Sequence, residues 1–362
     1  MINNQKIRLQ IMDNGGKIQL IMIFIYIVII IDCLLKGDRV MRNLMNGYVL
    51  FAVLCVLTVC SLFIGVSSVP IRALFTFNEH QLNILFASRI PRTVSILISG
   101  STLALSGLIM QQMMQNKFVS PTTAGTMEWA KLGVLISLLF FPSQHILIKL
   151  AFAVVCSVGG TFLFVQMIQR IKFKDVIFVP LIGIMLGGIV SSFSTFLALR
   201  TNAVQSLGNW LNGNFAVITS GRYEILYLSI PLLILTYLFA NQFTIAGMGR
   251  DFSKNLGLNY DLIMNIGLFI TATITALVLV TVGTLPFLGL IVPNIVSIFR
   301  GDHLKNALPH TAMLGAIFVL ISDILGRVIV YPYEINIGLT IGVFGTFIFI
   351  IMLIRGRRHY VQ

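Results

Sequence analysis

Apolar positions along this chain fall in long blocks rather than alternating with polar ones. The blocks cover 48–66, 93–113, 124–141, 146–168, 176–199, 225–240, 262–282, 285–299, 311–328 and 337–354. A helix that crosses the hydrocarbon core of a bilayer needs roughly 20 apolar residues, and each block is long enough to cross with some tilt. The 285–299 block is the irregular one, interrupted by Pro286, Gly289 and Pro293 just after Gly283. The pattern predicts an all-α, polytopic integral membrane protein with about ten transmembrane helices, residues 41–362 forming one transmembrane domain. An even number of crossings places both ends of that domain on one side of the membrane.

Composition removes the alternatives. Of 362 residues, 57% are hydrophobic and 10% charged, against about 25% charged in an ordinary soluble domain. A water-soluble globule is excluded. The formal net charge of +13 would suggest a nucleic-acid partner in a soluble protein. Here the basic residues punctuate apolar blocks, as the positive-inside bias requires, and no nucleic-acid partner is expected. One set of loops holds Arg170, Lys172, Lys174, Arg250, Lys254, Arg300 and Lys305, with Arg355, Arg357 and Arg358 in the tail. The opposite set (Arg72, Arg89, Arg92, Arg200, Arg222, Arg327) is more dispersed, so both termini are expected in the cytoplasm. Cys33, Cys55, Cys60 and Cys156 lie in or beside apolar blocks without metal-ligand spacing and are expected to pack as small hydrophobes.

Residues 1–40 read differently: a polar start, a short apolar run over 18–31, then Asp32, Lys36, Asp38 and Arg39. The run is short for a span and no small-residue cleavage site follows it. Lys36-Gly37-Asp38 is encodable by a purine-rich ribosome-binding sequence just ahead of Met41, so this N-terminal extension is expected to lie upstream of a true start at Met41.

The chain carries no phosphate loop and no H-E-x-x-H, so neither intrinsic ATP hydrolysis nor zinc peptidase chemistry is supported. Ionisable residues inside the spans are few and therefore informative. Glu128 and Lys131 sit at i,i+3, and Asp323 and Arg327 at i,i+4, spacings at which oppositely charged side chains on one helix face can pair. Small residues at helical spacing, among them Gly100, Gly107, Gly183, Gly187 and Gly188, suit close packing of membrane helices. These features alone reach a polytopic transporter or channel and go no further.

Two segments go further. Arg89-Ile90-Pro91-Arg92, followed by Gly100, Gly107, Gln111, Asn116, Ser120, Pro121 and Gly125, resembles the opening motif of the FecCD-type permeases, the membrane subunits of iron-siderophore and cobalamin ABC importers. The stretch from Gly283 to Pro293, then Gly301-Asp302-His303, Leu308-Pro309, Gly315, Asp323, Arg327, Glu334, Gly338 and Gly345, is similar to the same family's closing segment. Departures from the family pattern are Lys117 for proline, Trp129 for a small residue, Asn294 for histidine, Ser297 for arginine and Asn336 for proline. Residues 111–123 are similar to permeases associated with catecholate siderophores.

The resemblance implies a type II ABC importer permease fold in a bacterial cytoplasmic membrane, with no enzymatic activity of its own. It implies a second, identical or homologous permease subunit, two ATPase subunits that bind ATP and Mg, an extracytoplasmic binding protein and a ferric siderophore as cargo. Cobalamin or haem is the alternative cargo, and an ATPase-independent secondary carrier the rival of a different class. Gly249, Arg250, Asp251, Ser253, Lys254, Leu256 and Gly257 resemble the family's ATPase-coupling segment, with Ser253 in place of alanine. Arg89, Arg92 and Arg327 correspond to positions that receive acidic side chains of the binding protein, with Asp323 one turn from Arg327 to position it. Glu128, Lys131, Gly183, Gly187 and Gly188 are the pathway candidates. The cargo arrives with its iron already coordinated, so no metal or cofactor site is expected in this chain.

Overall fold

The computed structural model describes residues 45–65, 85–141, 145–171, 177–219, 221–330 and 332–359. The N-terminal extension, the start at Met41, and Arg72, Lys172 and Lys174 lie outside the described residues. Among the described residues every apolar block of the sequence contains helix. In chain order these are α1 (Gly47–Phe63), α2 (Ile90–Met113, entered through a π turn at Leu85–Arg89), α3 (Thr126–Phe140), α4 (Ile146–Arg170) and α5 (Phe178–Arg200). After the short α6 (Val204–Leu211), a 3₁₀ turn at Tyr223–Leu228 leads into α7 (Ser229–Leu238), then α8 (Ala240–Ala246) and α9 (Arg250–Asn255). The chain finishes with α10 (Tyr260–Thr281), α11 (Leu288–Arg300), α12 (Leu304–Val328) and α13 (Ile337–His359).

Among the described residues five helices are long and apolar enough to cross a membrane, six if the bent pair Tyr223–Leu238 and Ala240–Ala246 counts as one span. The remaining expected crossings are shorter, and α11 shows why. The backbone from Gly283 to Phe287 is not helical, so α11 begins part-way along its block, with Phe287 at φ 61° as its N-cap residue. Backbone freed there is satisfied inside the protein: Asn214 N–H donates to Val282 O (3.1 Å) and Thr284 N–H to Leu211 O (3.1 Å). Non-helical backbone at membrane depth is tolerated where protein supplies such partners.

Burial orders the helices. The spans of α2 and α10 are each 78% buried, whereas those of α4 and α5 are 33% and 28% buried. The centre is therefore α2 and α10, with α4 and α5 at the periphery. Small residues let α2 come close to its neighbours. A Cβ at Gly107 would lie 1.9 Å from Gly289 O of α11, and one at Gly100 would lie 2.9 Å from Gly315 O of α12. Trp129, a departure in the sequence, is accommodated by Gly160 of α4, where a Cβ would come within 2.0 Å of the indole.

The loops gather at two ends. Arg300 Nη2 donates to Met45 O (2.6 Å), Leu304 N–H to Thr244 Oγ1 (3.2 Å), and Phe118 meets Phe349 edge-on, so the start of α1 and the second half of α13 lie toward the end that carries α9. We call this the loop end. The opposite, arginine end collects the last turn of α1, the first turn of α2, the last turn of α12 and the α12–α13 connection.

Candidate functional site

At the arginine end the sequence has placed arginines at the start of α2 and the end of α12, and the fold turns them inward. Arg89, Arg92 and Arg327 are 6%, 8% and 2% exposed. A guanidinium removed from water must be both paired and hydrogen-bonded, and its five donors in a planar fork allow several partners at once. Asp323, itself buried, supplies the pairing: its Oδ1 accepts from Arg92 Nη2 (2.7 Å) and Nε (3.3 Å), and its Oδ2 accepts from Arg327 Nη2. The remaining edge of Arg92 is taken by Glu334, whose Oε2 accepts from Nη1 at 2.7 Å.

Arg327 also ends α1. Its Nη1 donates to Ser61 O (2.9 Å) and Ile64 O (2.7 Å), and its Nη2 to Ser61 Oγ (2.7 Å). Arg89 Nη1 donates to Ile64 O as well. The last carbonyls of a helix have no intrahelical donor, and α1 has no basic residue in its own last turn, so these two guanidiniums cap it from other elements. The i,i+4 spacing of Asp323 and Arg327 anticipates their ion pair. The occupation of every arginine by partners within the chain was not legible, because the α1 carbonyls and the Glu334 side chain approach from distant parts of the sequence.

At the loop end the expected coupling segment is a short helix, α9, between two glycines in backbone conformations that other residues rarely adopt, Gly249 at φ 110° and Gly257 at φ 76°. Ser253 is buried and its hydroxyl bonds back to Gly249 O (2.7 Å) and Ile245 O (2.9 Å), fastening α9 to α8. Arg250 pairs with Asp261 of α10 at 2.9 Å. The other face is open: Asp251 and Lys254 are exposed, and Met248, Phe252 and Leu256, four residues apart, are 58%, 48% and 59% exposed. An exposed apolar row of this kind, flanked by charges, suits a partner surface.

Beside α9 lie residues that read in the sequence as unrelated departures. Lys117, in the α2–α3 loop, pairs with Asp302 of the α11–α12 loop and donates to Ser297 Oγ (2.6 Å), which in turn donates to Asp302 Oδ1 (2.6 Å). Asn294 Nδ2 donates to Lys117 O (2.8 Å). Burial opposes ionisation of Asp302, but the hydrogen bonds from Lys117 and Ser297 and the Lys117 charge outweigh it and hold the carboxyl below its ordinary value of 3.8.

The pathway candidates divide. Lys131 Nζ and Glu128 Oε1 form the expected pair at 2.6 Å on α3, partly exposed. Gly183 faces Thr123 and Ala124, and Gly187 faces Gly125 and Glu128, so both serve the close approach of α5 to the start of α3. Gly188 has nothing within 4 Å of the place a Cβ would occupy.

Comparison with known proteins closes the argument. The model of the FecCD transport family matches residues 53–355. The petrobactin import system permease protein of Bacillus subtilis is 56% identical over 310 residues, 86% of this chain and 98% of that protein. The ferric-anguibactin transport system permease protein of Vibrio anguillarum is 38% identical over 308 residues, 84% of this chain and 98% of its own length. In three dimensions, a solved inward-facing metal-chelate type ABC transporter superposes with a TM-score of 0.74 at 22% identity, covering 85% of this chain and 98% of that one. With the family match extending across nearly all the described helices, this chain belongs to the FecCD transport family.

Proposed function

We propose that the chain is the membrane permease subunit of a binding-protein-dependent ABC importer, and that its cargo is ferric petrobactin or a siderophore of like chemistry. The observation that carries this is the 56% identity to a petrobactin import permease along 98% of that protein. Both termini and the loop end face the cytoplasm, where α9 and its Met248, Phe252 and Leu256 row seat on a separate ATPase subunit that holds ATP and Mg. The glycines that bracket α9 and the Ser253 tie to α8 make it a firm projection suited to passing a rigid-body push.

The arginine end then faces outward and receives the acidic side chains of the siderophore-binding protein through Arg89, Arg92 and Arg327. A second permease subunit covers the exposed face of α5, where Ile184, Met185 and Ile189 are 56%, 62% and 71% exposed. Gly188, Glu128 and Lys131 flank that face and are assigned to the passage. Gly183 and Gly187 are assigned to helix packing.

The test is uptake of radiolabelled iron supplied as ferric petrobactin, as a ferric hydroxamate and as ferric citrate, alongside labelled cobalamin, in cells with and without the gene. Loss confined to ferric petrobactin is the expected result. Unchanged uptake of every ligand, with redundant iron permeases deleted, overturns the reading.

A further inference from the structure

Of the three guanidiniums assigned to docking, Arg92 and Arg327 already pair with carboxylates of this chain and Arg89 donates to Ile64 O, and the two carboxylates differ in kind. Asp323 is 3% exposed, lies on α12 and holds the Nε and Nη2 edge of Arg92 while also pairing with Arg327. Removing it would leave the buried Arg327 without its anion and Arg92 with Glu334 alone. Glu334 lies in the non-helical α12–α13 connection, its side chain is 22% exposed, and a single oxygen contacts a single nitrogen, Arg92 Nη1. One carboxylate is built in, and the other is a lid on the solvent side.

We propose that Glu334 is an internal stand-in for the binding protein's carboxylate. The docking acidic side chain meets Arg92 at Nη1, the nitrogen that Asp323 does not contact, and it gets there by displacing Glu334. Docking at this position is therefore an exchange of one carboxylate for another. The guanidinium is never left unpaired in the apolar rim, and the net gain per docking event is small, which favours release of the binding protein after delivery. This inference rests on the reading of the arginine end as the docking face.

The experiment uses the assembled transporter, with its ATPase subunits, in lipid nanodiscs, and measures association and dissociation of the purified siderophore-binding protein. Glu334→Gln keeps an oxygen beside Arg92 but removes the competing charge. It should tighten binding by about threefold, chiefly through slower dissociation, a change equivalent to one partly screened ion pair. Glu334→Asp, whose shorter side chain withdraws the carboxylate from Nη1, should shift affinity in the same direction and guards against a folding defect in the first variant. Arg92→Gln should weaken binding by at least about tenfold, with thermal stability followed on the same samples. Weakened binding in Arg92→Gln with unchanged or weaker binding in both Glu334 variants overturns the exchange and leaves docking standing. Wild-type binding in Arg92→Gln overturns docking at this end, and the exchange with it.

Discussion

At the arginine end Asp323 and its two guanidiniums are almost wholly withdrawn from water, whereas at the loop end the side chains of Arg250 and Asp261 are 54% and 56% exposed. The same pair of residue types thus appears at opposite depths. Buried, the pair organises structure: it joins α2 to α12 and, through Arg327, closes the last turn of α1. Exposed, it adds little stability and keeps its groups available to a partner. Depth, rather than residue type, sets how much of the fold depends on such a pair.

The strongest way to break this contrast is Asp323→Ala, which leaves Arg327 without its anion and Arg92 with Glu334 alone. A loss of about 3–5 kcal/mol is expected, enough to remove most folded transporter, and melting of the detergent-solubilised protein by size exclusion reads it directly. A shift no larger than that of an exposed pair would dissolve the distinction. Next in size is Gly257→Val, which forces a β-branched residue to φ 76° at a local cost of about 1–3 kcal/mol. Siderophore uptake should fall while ATP hydrolysis by the partner subunit continues, and normal uptake at normal expression would count against the role of α9.

Smaller still is Arg250→Gln, expected to change stability by at most about 1 kcal/mol and less at high salt. Its melting temperature in low and high salt is the check. The smallest effect concerns pH at the Lys117, Ser297 and Asp302 cluster. Because the folded Asp302 carboxyl ionises below its ordinary 3.8, the cluster contributes fully above that value and loses its contribution as pH falls through the lower, folded pKa. Asp302→Asn should flatten that acid limb of the stability profile and leave neutral pH nearly unchanged.

Much of the fold was legible because a bilayer permits little besides helix. Among the described residues each of the ten apolar blocks contains helix, and Gly283, Pro286 and Gly289 mark the irregular region. The sequence did not disclose that α11 starts late, or that the span ending at α8 bends by 62°, since both depend on neighbours rather than on local pattern. At the candidate sites, residues joined by helical spacing, Glu128 with Lys131 and Asp323 with Arg327, were visible in advance. Residues joined across the fold were not. Lys117, Asn294 and Ser297 each look like an isolated departure along the chain, and only the structure shows that they touch one another. The arginines likewise read as outward-facing forks because the α1 carbonyls and Glu334 that occupy them lie far away in sequence.

The contact between Gly107 and Gly289 has an evolutionary consequence. A side chain at position 107 would meet the backbone of α11 at 1.9 Å, and no rotamer change can move a carbonyl oxygen aside. A larger residue there can be fixed only in a lineage where α11 has already shifted, and that shift would displace the break that lets α11 begin inside the bundle. Substitution at position 107 is thereby tied to the backbone of the 283–289 segment.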